Sequence, residues 1–453
     1  MKAVKIFLSL LLLWAGLAHA IEERQMAITV YNQNLALVKD VRLMDLKKGI
    51  TLIKFKDVAS QIDPTSVHFR SLPYPDKVSI LEQNYEYDLV STRKILQKYI
   101  DQEIKVTAKD EKVYQGLLLS SSKDGMVLAE REGGIKVIRP ESILNLDFPS
   151  LPEGLITHPT LVWLLNCQRG GRQQTEISYL TSGINWHCEY VAVADREDKS
   201  LDLAGWVSID NKSGATYPDA KLKLIAGDVH RVKPPRRRQG LVEADGVALA
   251  KGVPQFEEKP FFEYHMYTLA RKATIKDNQI KQLSLFSPTQ VNVNKIYTHD
   301  GARHGKKVRV NLEFQNTQEA GLGIPLPQGK VRVYKEDVDK SLEFIGEDLI
   351  DHTPKDEKVR IFLGNAFDLV GERKKISHHK IGDKAREETY EIKLRNHKKE
   401  MVEIVVVEHF WGEWSITNSS YRYDKKDAYT VEFRIPVAKD GESVLKYTVR
   451  FEW

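Results

Sequence analysis

Short β-rich runs separated by turn formers recur along nearly the whole chain, and this alternation limits the architectures open to it. Ile28-Thr29-Val30-Tyr31, Leu52-Ile53-Lys54-Phe55 and Val78-Ser79-Ile80-Leu81 are typical runs, set apart by Lys48-Gly49 and Asp63-Pro64. A period of two with β-branched and aromatic side chains builds half-buried strands, whereas an amphipathic helix needs apolar residues every third or fourth position. One window has that second period. Between Leu89 and Ile100, the residues Leu89, Leu96, Tyr99 and Ile100 can share a face, with Asp88 or Ser91 to cap the first turn. The expected fold is therefore mainly β, with β-sandwiches in series, and 453 residues suggest about three domains at ~150 residues each.

The pattern divides the chain further. Residues 21–88 read as an N-terminal β domain. Residues 89–150 read as the helix followed by five short strands with tight turns at Asp124-Gly125 and Gly133-Gly134, which resembles a small Sm/SH3-like barrel. Longer strands from Thr160 to Val229 and again over 261–375 read as two parts of one β-sandwich domain. Between them, 230–260 carries Pro234-Pro235, Arg236-Arg237-Arg238 and Pro254 without sustained period, the composition of a disordered basic loop. Residues 376–453 have the spacing of an immunoglobulin-like sandwich, closed by an alternating row from Leu445 to Phe451 in which Phe451 is expected to be buried.

The N-terminus reads as an export signal. Lys2 and Lys5 precede the apolar run Ile6 to Leu13, and Ala18-His19-Ala20 supplies small residues for cleavage after Ala20. The expected location is periplasmic or secreted. No second apolar run approaches the ~20 residues of a spanning helix. The formal charge of +5 over 453 residues is nearly neutral, and 90–150 hold ten Lys or Arg against nine Asp or Glu. That is not the basic footprint of a nucleic-acid partner. Cys167 and Cys188 are the only cysteines; an oxidising compartment permits a disulfide, but a strand between theirs would hold them too far apart. The two alternatives stay open.

Several segments together resemble a bacterial exported family related to mucoidy inhibitor A. They are Leu180-Thr181-Ser182-Gly183-Ile184-Asn185-Trp186 with Tyr190, Ala226-Gly227-Asp228, Lys276-Asp277-Asn278-Gln279, Pro325-Leu326-Pro327-Gln328-Gly329, Gly346-Glu347-Asp348, Thr353-Pro354-Lys355-Asp356-Glu357 and Gly371-Glu372-Arg373. The resemblance covers roughly Thr160 to Trp453 and implies an exported, mainly β envelope protein whose main domain has no established activity. It carries over no catalytic residues. The longer members place a coiled coil ahead of this domain, where this chain has the small barrel.

No nucleophile elbow, phosphate loop, zinc helix or EF-hand loop is present. The best candidate for metal chemistry is Asp348, Asp351, His352 and Asp356, hard oxygen ligands with one imidazole; Pro354-Lys355-Asp356 between strands is also ordinary turn chemistry. The stretch Glu372 to Glu400 holds ten Lys or Arg, three His and six acids, a surface for anions if the charges cluster. Trp411, Trp414, Tyr421 and Tyr423 offer a sugar-stacking platform or core aromatics. The leading expectation is a non-enzymatic envelope protein without a cofactor, binding another envelope protein or an anionic surface polymer. The alternative is a metal-dependent hydrolase acting on envelope material through the Asp348 to Glu357 segment.

Overall fold

The computed structural model describes residues 24–131, 133–152, 154–227, 229–230 and 256–453. The expected export segment, with cleavage expected after Ala20, and residues 231–255 of the expected basic loop lie outside the described residues. Residues 256–260, assigned to that loop from sequence, belong instead to the strand Phe256–Phe261, which pairs antiparallel with Tyr264–Leu269. The chain is mainly β, as its alternation dictates, and among the described residues no helix is long and apolar enough to cross a membrane.

Two compact units divide the chain. The first comprises residues up to Ala27 and Val38–Leu180. Its helix is Thr92–Lys98, and Ser91 provides the cap by accepting from the Lys94 N–H. Tyr99, Ile104, Val106, Leu118, Met126, Leu128 and Ile138 form a small core beneath it. The five strands that follow pair in the order Ile143–Asp147, Glu103–Ala108, Val113–Ser122, Gly125–Glu130, Ile135–Ile138. The two outer strands do not pair with each other, so the sheet is open and the expected barrel does not close. In a separate three-stranded sheet, Thr160–Cys167 pairs antiparallel with Gly49–Lys56 on one side and Val78–Glu86 on the other. This pairing is why the division falls after Leu180 and not at the expected break near Thr160.

The second unit comprises Ile28–Leu37 and Thr181–Trp453. One five-stranded sheet has the order Gln279–Asn292, Ser200–Asn211, Ile184–Ala194, Gly329–Glu336, Leu342–Ile350. A nine-stranded sheet has the order Glu413–Ser419, Gly441–Glu452, Ala385–Asn396, Lys358–Ile381, Lys307–Gln315, Asn294–His299, Val402–His409, Thr430–Val437, Tyr423–Lys425. Its strands surround a core that includes Val308, Leu369, Ile392, Ile404, Phe433, Tyr447 and Val449. Lys358–Ile381 runs 24 residues without a break, so the expected boundary at 376 falls inside one strand, and the terminal core draws on residues from Tyr297 onward. Leu445, Tyr447 and Val449 are buried as their alternation requires. Phe451 packs on the core only in part, because it lies at the strand end with the Arg386 guanidinium over its ring.

A polar cleft in the second unit

Strand alternation builds this site. Side chains two apart share a face of a sheet: Arg309 and Asn311 on one strand, Arg360 and Phe362 on the next, and Val407 and His409 on a third all line one cavity, while Val308 and Val406 turn into the core. Thr298 and Asp300 join them from the end of Asn294–His299, Arg303 and His304 from the short helix Gly301–His304, and Asp348 from Leu342–Ile350. The cavity has a volume of about 270 Å³.

Its partners are mostly settled internally. Asp300 Oδ1 accepts from the Arg303 backbone N–H at 2.9 Å, and its Oδ2 lies 3.2 Å from His409 Nε2. His409 Nδ1 is 3.4 Å from Thr430 Oγ1, which leaves neither ring nitrogen uncommitted. Asp348 is held by the Phe362 N–H at 2.7 Å and the Leu349 N–H at 2.9 Å. Arg360 donates to Glu313 at 2.7 and 2.9 Å, and Lys358 shares that carboxylate. Asn311 Nδ2 donates to Thr298 Oγ1.

Arg309 differs. Its guanidinium lies over Phe362, with Cζ 3.7 Å from the ring centroid, and one Nη donates to His304 Nε2 at 3.3 Å. Its Nε is buried without a hydrogen-bond partner, and among the described residues no carboxylate lies within 4.0 Å of it. The lining thus carries three arginines against two aspartates, with the planar donor fork of Arg309 uncompensated. A guanidinium in that condition recognises a carboxylate or another planar oxyanion.

No family model and no curated protein sequence matches this chain.

Of the four metal candidates only Asp348 reaches the cleft. His352 is engaged at both ring nitrogens, 3.1 Å from the Gln328 backbone nitrogen and 3.1 Å from the Asn32 amide. Asp356 sits at φ +67° in the turn between two strands, where its short side chain suits the left-handed region, and Asp351 is exposed. Among the described residues no group of three or more His, Cys, Asp or Glu side chains is placed to hold a metal ion. Cys167 and Cys188 are buried free thiols on different sheets, and burial pushes the Cys188 thiol up to about 12. Trp414 and Tyr421 pack against the terminal core, while Trp411 is 70% exposed. The basic run Glu372 to Glu400 spends much of its charge locally: Lys375, His378 and Arg386 all face Glu388.

The residues behind the family resemblance mainly carry structure. Trp186 Nε1 donates to the Ile225 carbonyl at 3.1 Å, Tyr190 Oη to the Pro327 carbonyl at 2.7 Å, and Asp277 accepts from the Gly214 N–H at 2.9 Å. Sequence reading missed Arg303, His304, Arg309 and His409. A polar residue alternating with Val308 and Val310 looks the same whether it faces solvent or a cleft.

Proposed function

We propose that this chain is an exported envelope protein, similar in kind to the mucoidy inhibitor A-like family, that binds rather than transforms its ligand. The ligand is an anionic surface polymer, whose acidic group enters the cleft of the second unit. The observation that carries this reading is Arg309, stacked on Phe362 with a buried, unpartnered Nε and no carboxylate to neutralise it. Arg309 as a whole is only partly buried, and an incoming oxyanion at its outer guanidinium nitrogens would supply the counter-charge that it lacks. The export segment and the near-neutral charge agree with an envelope role. In the same reading the open five-stranded module is an Sm/SH3-like packing or protein-contact element, and the terminal sheet a relative of the immunoglobulin-like sandwich.

Hydrogen–deuterium exchange on the purified protein, with and without a carboxylated polysaccharide, tests this. Added polymer is expected to slow exchange at 298–311 and 407–409. Slowing confined to other segments, or none at all, would refute the reading.

A further inference from the structure

We infer that anion binding at this cleft is coupled to the uptake of one proton by His304, so that the ligand is held more tightly as pH falls; the inference rests on the anionic-ligand reading above. His304 ends the short helix Gly301–His304, and its Nε2 stands 3.3 Å from an Arg309 Nη. A guanidinium offers donors only and keeps its charge at physiological pH. Nε2 is therefore the acceptor of this bond, and the ring is neutral with its one proton on Nδ1. Imidazole is also the side chain that changes charge between pH 5 and 8. Protonation at Nε2 turns the contact into donor against donor and sets two cations side by side.

The charged groups packed around the helix do not relieve that conflict. Of the two carboxylates in the lining, Asp300 serves the Arg303 N–H and His409, and Asp348 serves the Phe362 and Leu349 N–H groups. On Lys358–Ile381, Arg360 is held by Glu313 and Arg373 by Glu408 of Val402–His409. Lys306 reaches Glu372, and Lys307 and Arg303 are exposed. The empty cleft thus disfavours the proton on His304. A bound oxyanion reverses this, because at the outer nitrogens of Arg309 it accepts from Nη and from a protonated Nε2 together. His409 gains no such partner, since its Nε2 already faces Asp300 and its Nδ1 faces Thr430. Linkage is reciprocal: a ligand that favours the proton is itself favoured by it. Affinity then rises by up to about tenfold for each pH unit lost, in the range where His304 is charged in the complex and neutral in the empty cleft.

Calorimetric titration with a short uronate oligosaccharide, whose carboxylates stay ionised from pH 5.5 to 8, reads the coupling at constant ionic strength. Repeating it in two buffers of different ionisation enthalpy counts the protons taken up. Wild type is expected to bind about tenfold or more tightly at pH 5.5 than at pH 8, with net proton uptake on binding. His304→Gln keeps an acceptor for Arg309 but cannot take the proton, so its affinity should change by about twofold or less over the same range. A third reading needs no variant: the imidazole resonance of His304 should titrate at higher pH in the saturated protein than in the free one. Affinity independent of pH, a dependence that survives in folded His304→Gln, or an unshifted His304 titration on saturation overturns the inference and leaves the anionic-ligand reading in place. If the oligosaccharide binds at no pH in this range, both fall.

Discussion

Gly371 lacks a side chain because the ring of His299 occupies the space where its Cβ would be. His299 is fully buried, with its Nδ1 3.1 Å from the Lys307 carbonyl, so Gly371→Ala must displace a packed imidazole. We expect a loss of about 1–3 kcal/mol, read from denaturant unfolding; an unchanged midpoint would contradict this packing. Burial also lowers the His299 pKa. The unfolded chain therefore takes up that proton first, and this contribution to stability is complete above the unfolded value of ~6.5 and declines as pH falls below it. Next to it, Arg373 donates bidentately to Glu408, whose side chain is 1% exposed, and Tyr447 donates to the same carboxylate. Although burial opposes its charge, Glu408 raises the Arg373 pKa further. Arg373→Ala leaves a buried carboxylate unpaired and should cost ~3–5 kcal/mol. Adding Glu408→Gln should recover part of that loss; a double variant as unstable as the sum of the two singles would show that the pair is not coupled.

At the scale of elements, the strand Ala385–Asn396 is tied to its neighbour through Glu388, which meets Lys375 at 2.8 Å, Arg386 at 3.2 Å and the Tyr390 hydroxyl. Burial acts against its charge, but the Lys375 and Tyr390 donors hold its carboxyl down to about 2. Its contribution is thus present above the unfolded value of ~4.5 and is lost as pH falls toward 2, up to about 3 kcal/mol in all. Acid unfolding of Glu388→Gln should accordingly be flatter across that window, and a slope equal to wild type would count against the assignment. The helix Thr92–Lys98 was legible in advance through its Ser91 cap, a local property, but it is shorter than the expected Leu89 to Ile100: Leu89, expected on its apolar face, lies outside it and bridges to Ile156; Ser91→Ala should cost about 1 kcal/mol. The paired strands were legible as strands but not as neighbours. Alternation states which face a residue takes and says nothing about which strand lies beside it. That is why the sheet containing Thr160–Cys167, the unbroken run Lys358–Ile381 and the open edges of the five-stranded module all departed from expectation.

For the whole molecule, the same limit explains why the candidate site escaped the sequence. Asp348, Asp351, His352 and Asp356 are close in the chain, and three of them go to turn, surface and backbone contacts. The cleft instead gathers residues from Thr298 to His409 that only the strand order brings together. Nothing local distinguishes Arg309 from a solvated arginine; its contact with the Phe362 ring and its unpartnered Nε do. The central claim is that this arginine serves an anionic polymer. Calorimetric titration of wild type and of Arg303→Gln/Arg309→Gln with a polyuronate, at low salt and at high salt, tests it most directly. The account predicts saturable binding by wild type that weakens as salt rises and is at least tenfold weaker in the double variant, with both proteins folded by circular dichroism. Binding of equal strength by the folded double variant, or no binding by wild type at low salt, would contradict it.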